Sequence, residues 1–275
     1  MPELVPLYAR LIELAGGDDL SARFLSLYGP GPFLTGCSQA CLSGAHPLLV
    51  RNYDYDPDLW DAVFMRTAWN GRTVLAMIDC AWGVLDGINE DGLAVALAFG
   101  GRRVVGDGFG APIILRYVLE TCSSVEDGIE CLRRVPSHMA YNITLLDGSG
   151  TAKTVHIAPD RATQVLDRPY SANHQNGIDW PEYERATHSV ERQSRLAELL
   201  KSPGIGESDL VSAFLAPPLH TAGFATGWGT LYTAVYDATK LQARLKWPEM
   251  SVEQSVADFT ETTLDVPFGA ATGAT

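Results

Sequence analysis

The sequence predicts an α+β fold in which two antiparallel sheets stack and helices cover their outer faces. Three observations point there. Short strands with turn signals between them recur along most of the chain, the helical segments gather in two pairs between the strands, and no internal repeat is visible. At 275 residues, with 46% hydrophobic and 19% charged side chains, the chain can bury a core of its own without disulfide or metal support.

Residues 3–28 read as helical, since Leu4, Leu7, Leu11 and Leu14, then Phe24, Leu25 and Leu27, recur near helical spacing around a break at Gly16-Gly17. Gly29-Pro30-Gly31-Pro32 stops any helix and marks a boundary. Residues 33–42 and 48–54 then flank Ser43-Gly44-Ala45-His46-Pro47 as a hairpin, with Cys37 expected opposite Arg51 or Asn52 and Cys41 opposite Leu48. Strands over 62–69 and 72–78 flank Asn70-Gly71, a strong tight-turn signal, and a strand over 93–99 follows the turn Asn89-Glu90-Asp91-Gly92. The pattern predicts helices over 112–121, with Pro112 at a first helical position, and over 125–135. Strands over 140–146, 153–158 and 162–166 form a ladder, helices over 189–200 and 208–215 make the second pair, and 229–236 with 241–247 make a last hairpin. Residues 268–275 read as a frayed Gly/Ala/Thr tail.

A net charge of −13 repels phosphates and anionic lipid, so neither nucleic acid nor a membrane is an expected partner. Glu3, Glu13, Asp18 and Asp19 interrupt the first twenty residues, which argues against a signal peptide, and no apolar run reaches membrane-spanning length. The expected location is cytoplasmic. Five cysteines without a CxxC pair argue against a disulfide framework, and six histidines without HxxxH or HExxH spacing argue against a metal. No cofactor is expected.

The residues that carry chemistry begin with Gly36-Cys37-Ser38, followed fourteen residues on by Arg51-Asn52-Tyr53-Asp54. A cysteine after glycine, just past a boundary, suits a nucleophile released when the chain cuts itself. Its new α-amino group then serves as base, with an ordinary pKa near ~8. A guanidinium nearby favours thiolate over thiol. The ordinary alternative is a small buried hydrophobe, and Cys41, four residues on, is the rival that packing suits better. Alternation puts Arg51 and Tyr53 on one face and Asn52 and Asp54 on the other, so Asp54 is expected to reach the site through a bend at Tyr55-Asp56-Pro57. Asn173 is a turn residue or an oxyanion donor, and Arg192 is a solvent-facing charge or part of a site. Gly106-Asp107-Gly108-Phe109-Gly110-Ala111 lacks a βαβ context and reads as a loop.

Thr35-Gly36-Cys37-Ser38, Arg51-Asn52-Tyr53-Asp54, Ser171-Ala172-Asn173-His174 and Ser189-Val190-Glu191-Arg192 occur in an order that resembles N-terminal-nucleophile hydrolases. The chain looks most like the acyl-coenzyme A:6-aminopenicillanate acyltransferase family, with choloylglycine hydrolases, penicillin V acylases and acid ceramidase as relatives. The segments Gly87–Val95 and Gly108–Glu120 share the likeness, which runs roughly from Gly36 to Trp247.

The resemblance implies a four-layer αββα sandwich made as a precursor, with residues 1–36 as a helical pro-segment and 37–275 as the catalytic domain. It implies cleavage between Gly36 and Cys37, Cys37 as nucleophile with its own amine as base, and Arg51 and Asp54 tuning both. Asn173 is then expected to line the oxyanion hole and Arg192 to brace the site. The implied activity is cleavage of a small linear amide, or transfer of its acyl group, through an acyl-Cys37 intermediate. Alternatives are an N-acyltransferase using an acyl thioester and a binding protein that keeps the fold without activity.

Two departures stand out. The Cys37–Arg51 gap is about two residues shorter than in relatives, an even change that keeps side chains on their faces. Some relatives place an asparagine on the strand that here reads Ala96-Leu97-Ala98-Phe99, so the second oxyanion donor is expected to be a backbone N–H of Ala98 or Phe99. Losing one such donor costs ~10²–10³ in rate. Trp60, Phe64, Trp82 and Phe99 are candidates for a substrate pocket. The pro-segment is expected to stay bound, because its apolar helical face needs a partner. Oligomeric state is not read from the sequence.

Overall fold

The computed structural model describes residues 1–268. The chain begins with a 3₁₀ turn and helices α1 (Val5–Leu14) and α2 (Asp19–Ser26). Strands β1 (Gly36–Leu42), β2 (Leu48–Tyr55), β3 (Val63–Thr67), β4 (Val74–Asp79), β5 (Gly83–Asn89) and β6 (Ala94–Phe99) follow. Helices α3 (Ala111–Thr121) and α4 (Val125–Arg134) precede β7 (Tyr141–Leu146), β8 (Ala152–Ala158), β9 (Arg161–Leu166) and β10 (Tyr170–Ser171). Helices α5 (Pro181–Thr187), α6 (Ser189–Lys201) and α7 (Glu207–Phe214) lead to β11 (Gly229–Asp237), β12 (Gln242–Trp247) and β13 (Met250–Ser255).

Two antiparallel sheets result, one ordered β10-β1-β2-β11-β12-β13 and the other β3-β4-β5-β6-β7-β8-β9. Helices α3 and α4 pack on the seven-stranded sheet, and α6 and α7 on the six-stranded one, which makes the αββα sandwich. The shared core between the sheets holds Cys41, Leu49, Leu97 and Ile143, while Ala40 and Val50 face Leu196, Leu210 and Phe214 on the outer helices.

The sequence pattern places most of these elements to within a few residues. Four were not expected: β5, β10, β13 and α5. The tail lies outside the described residues from 269 on, whereas Phe268 itself meets Trp60 in a T-shaped pair and Phe224 at a tilt. Asn70-Gly71 does not close a two-residue turn. The last pair of that hairpin is Thr67–Val74, because Thr73 is drawn to the neighbouring turn: its N–H donates to Glu90 Oε2 at 3.1 Å, and Glu90 N–H donates to its carbonyl at 2.9 Å.

Residues 1–35 dock on the sandwich through Leu4, Leu25 and Leu27, which are buried. The Trp82 indole donates to Leu25 O at 2.8 Å, Gly110 N–H to Leu27 O at 2.7 Å, and Tyr117 O–H to Glu3 at 2.7 Å. Among the described residues no helix is long and apolar enough to cross a membrane.

Candidate active site

The β1–β2 hairpin pairs Cys37 with Tyr53, Gln39 with Arg51 and Cys41 with Leu49, one step from the expected register. The shift arises because pairing runs through Leu42–Leu48, leaving a five-residue loop. Arg51 still reaches Cys37, diagonally along the same face. Its Nη2 donates to Sγ at 3.3 Å.

Arg51 is fully buried between the sheets, its Nη1 paired with Asp86 on β5 and bonded to the Tyr232 hydroxyl at 2.7 Å. Its Nε donates to Leu97 O at 3.2 Å, and the Tyr53 ring lies 4.7 Å from the guanidinium. Tyr232 and Tyr236 both donate to Asp86, so the countercharge is itself fully held. Sequence reasoning missed Asp86. Its only signal is a lone carboxylate in the apolar run Val84-Leu85-Asp86-Gly87-Ile88.

Asp54 lies on the opposite face of β2, as alternation requires, and no bend carries it to the site. It pairs directly with Gly36, accepts from Thr230 Oγ1 at 2.7 Å, and lies 3.8 Å from Arg192 Nη1. A β-bulge between Thr230 and Tyr232 lets β11 serve both faces, with Thr230 on Asp54 and Tyr232 on Arg51. Burial pushes the Asp54 carboxyl above its ordinary range, and Arg192 opposes that. Gly36 is fitted tightly here, since a Cβ would come within 2.7 Å of the Trp228 ring and 3.0 Å of Asp54.

Asn173 and Arg192 converge on the Cys37 backbone. Cys37 N–H donates to Asn173 Oδ1 at 2.7 Å, and Arg192 Nη2 donates to the same oxygen at 2.8 Å. Arg192 Nη1 donates to the Cys37 carbonyl and to Ser38 Oγ, and its Nε to Thr187 O at 2.8 Å. It is buried, not solvent-facing. Asn173 Nδ2 donates to Thr35 O at 3.3 Å and Phe99 O at 3.1 Å. Gly101, at φ +69°, permits this loop, because a Cβ there would come 2.2 Å from Asn173 O.

The Thr35 carbonyl, one residue before the Gly36 carbonyl, therefore accepts from two side chains: Asn173 and the Tyr183 hydroxyl of α5. Tyr183 was not anticipated. Its signal was Pro181 after Trp180, a helix start that brings an aromatic back over the site. The Cys37 thiol is fully buried, and burial pushes its pKa up while Arg51 opposes.

Of the four aromatic pocket candidates, only Trp60 and Phe64 share a cavity. Trp60 and Phe64 line one cavity of about 500 Å³ with 259–268, and Trp60 stacks on Tyr232. Trp82 caps the docked N-terminal helices, and Phe99 is buried edge-on to Tyr141 and Tyr183.

Residues 41–251, well over half the chain, match the sequence profile of the acyl-coenzyme A:6-aminopenicillanic acid acyl-transferase family. The chain belongs to that family. The match begins four residues beyond Cys37 and does not cover it. Among solved structures, a cysteine-to-alanine variant of the conjugated bile acid hydrolase from Clostridium perfringens is similar at 13% identity, TM-score 0.54, covering 86% of this chain and 99% of that one. The N-acylethanolamine-hydrolyzing acid amidase ortholog of Caenorhabditis elegans is similar at 15% identity, TM-score 0.54, covering 84% of this chain and 100% of that one. These likenesses show the fold, the αββα sandwich described above. No curated protein sequence matches the chain.

Proposed function

We propose that this family member is a self-processing cysteine amidohydrolase or acyltransferase that acts through an acyl-Cys37 intermediate. The observation that carries the reading is the convergence on Cys37: Arg51 on its sulfur, Asn173 on its nitrogen and Arg192 on its carbonyl. Acyl-transferase, hydrolase and amidase are the names borne by the family and the two fold neighbours, and that is the chemistry such a cluster suits.

In processing, Cys37 Sγ attacks the Gly36 carbonyl carbon, the peptide C–N bond breaks, and the nitrogen leaves as the Cys37 amine. Water then hydrolyses the Gly36 thioester. The pair Gly36–Asp54 and the fit of Gly36 against Trp228 hold that peptide in place. In the cut protein Asn173 Oδ1, which now accepts the Cys37 N–H, orients the free amine. That amine takes the thiol proton as Sγ attacks a substrate carbonyl, then passes it to the departing amine.

Departure of Thr35 from its position frees one N–H of Asn173 Nδ2, the other staying on Phe99 O, together with Tyr183 O–H. Both donors already aim at one carbonyl oxygen, so they form the oxyanion hole, and Tyr183 takes the place of the amide that Ala96–Phe99 lacks. This replaces the expected backbone donor at Ala98 or Phe99 and weakens the case for an inactive binding protein. The acyl group is released to water, or to an amine if one occupies the site. The family's name favours the second outcome as the alternative activity.

Intact-mass spectrometry of wild type beside Cys37→Ala tests the reading. Two chains split at Gly36/Cys37 in wild type and one chain in the variant are expected. A single uncut wild-type chain, stable over days, overturns self-processing.

A further inference from the structure

Neither the thiol nor the oxyanion site uses Asp79, which ends β4 at a tight turn where Cys80 and Ala81 both adopt left-handed φ, +57° and +70°. Asp79 is 8% exposed; its Oδ1 accepts from Cys80 N–H at 2.7 Å, and its Oδ2 accepts only a long bond, 3.3 Å, from Tyr53 O–H. It lines a cavity of about 800 Å³ together with Tyr53, Tyr55 and Leu59 and with Phe24 and Phe33 of the N-terminal segment. Tyr53 is the cross-strand partner of Cys37, so this cavity begins one side chain from the nucleophile.

The electrostatics of the cavity are one-sided. Asp61, in the segment just before β3, reaches the turn after β4, its Oδ2 accepting from Ala81 N–H at 3.3 Å, and adds negative charge. The cations that face Asp79 are already engaged: Arg51 pairs with Asp86, and Arg23 on the cavity rim pairs with Asp19 at 2.8 Å in solvent. Tyr28, Tyr53, Tyr55 and Cys80 are the other titratable groups among the residues that line the cavity. Burial, with Asp61 adding to it, pushes the Asp79 carboxyl up to about 6, so it is chiefly ionised at neutral pH. Aromatic rings around a carboxylate without a cationic partner attract an ammonium group, through ring quadrupoles and charge together.

We propose that this cavity binds an ammonium or quaternary ammonium group held by Asp79 and faced by Tyr53 and Tyr55, so that the amide processed at Cys37 carries a cation on a short chain. The binding part stands on the cavity alone; the clause about the amide rests on the reading of Cys37 as nucleophile. A carboxylate at the same place would meet Asp79 and Asp61 and is excluded. A purely apolar chain gains nothing from Asp79.

Isothermal titration of hexylammonium, 1-hexanol and hexanoate into Cys37→Ala protein at pH 7 tests the binding part without any need for turnover. Hexylammonium is expected to bind at least tenfold more tightly than hexanol, and hexanoate not at all. Asp79→Asn in the same background should erase the preference. If that variant does not fold, Tyr55→Leu should weaken hexylammonium several-fold while leaving hexanol within twofold. Equal binding of ammonium and alcohol, binding of hexanoate, or no binding of any probe at 10 mM overturns the proposal. Processed wild type is then assayed on 6-aminohexanoyl and hexanoyl p-nitroanilides. Preference for the first supports the amide clause, and preference for the second overturns it. Ammonium binding with neither anilide cleaved overturns the catalytic reading and leaves the cation site standing.

Discussion

Cys37 and Cys41 lie four residues apart on the same strand and the same face, and both are buried to within 1%. Burial pushes up both thiols, yet for Cys41 no other group intervenes, while for Cys37 the Arg51 charge works against it. Cys41 has ordinary neighbours: Leu49 across the hairpin and a backbone bond to Pro169 O at 2.7 Å. Cys37 has a guanidinium on its sulfur, an amide on its nitrogen and a second guanidinium on its carbonyl. Burial alone makes an inert core cysteine. What distinguishes the other is a set of fixed dipoles and charges that water cannot screen.

The largest expected effect separates the two thiols outright. Cys37→Ala should abolish both processing and turnover, whereas Cys41→Ala should leave both within a few-fold and lower stability modestly, about 1 kcal/mol. Equal loss in both variants would erase the distinction. Asp86→Ala should make the Cys37 end resemble the Cys41 end, because Arg51 then lacks the partner that holds it on the sulfur. Stranding a fully buried guanidinium costs about 3–5 kcal/mol. Chemical denaturation reads that loss, and a variant as stable as wild type would show that Asp86 does not hold Arg51.

Tyr183→Phe removes one donor aimed at the Thr35 carbonyl and keeps the ring against Phe99. Turnover should fall ~10²–10³ with KM little changed, as for other single oxyanion donors. A rise in KM at unchanged kcat would place Tyr183 in ground-state binding instead.

The smallest effect concerns Asp79. An acid whose folded pKa is about 6, against an ordinary 3.8, penalises the fold once ionised. The penalty is absent below about pH 4, grows between pH 4 and 6, and is full above that, at up to about 3 kcal/mol. Asp79→Asn should therefore raise the melting temperature at pH 7 and leave it almost unchanged at pH 4. An equal gain at both values would refute the assignment.

The sequence made the strand-rich scaffold legible because alternation, glycine turns and helical spacing are local signals. Strand β5 was hidden since all its residues are buried, which removes alternation, and β13 because its mixed composition resembles a loop. The register error at Cys37 is of the same kind. A loop length cannot be read to one residue from Ser43-Gly44-Ala45-His46-Pro47, and the diagonal contact to Arg51 survives the shift only because both residues stay on the inner face. Arg51, Asp54, Asn173 and Arg192 were singled out because a family motif marks them, and Arg51, Asn173 and Arg192 do contact Cys37. Asp86 and Tyr183 were not, because their roles are set by residues 35 and 148 positions away that only the packed sheets bring near. The aromatic pocket candidates were chosen by residue type, which cannot separate a cavity wall from core packing, and Phe99 shows the difference.

The measurement that tests the central claim most directly is labelling of the unfolded, purified protein with 2-cyanobenzothiazole, which condenses only with a cysteine that carries both a free thiol and a free α-amine. One adduct on a chain beginning at Cys37, absent from Cys37→Ala, is the predicted result. No adduct, with Cys37 still joined to Gly36, would contradict the claim that this cysteine is made into a nucleophile with its own base.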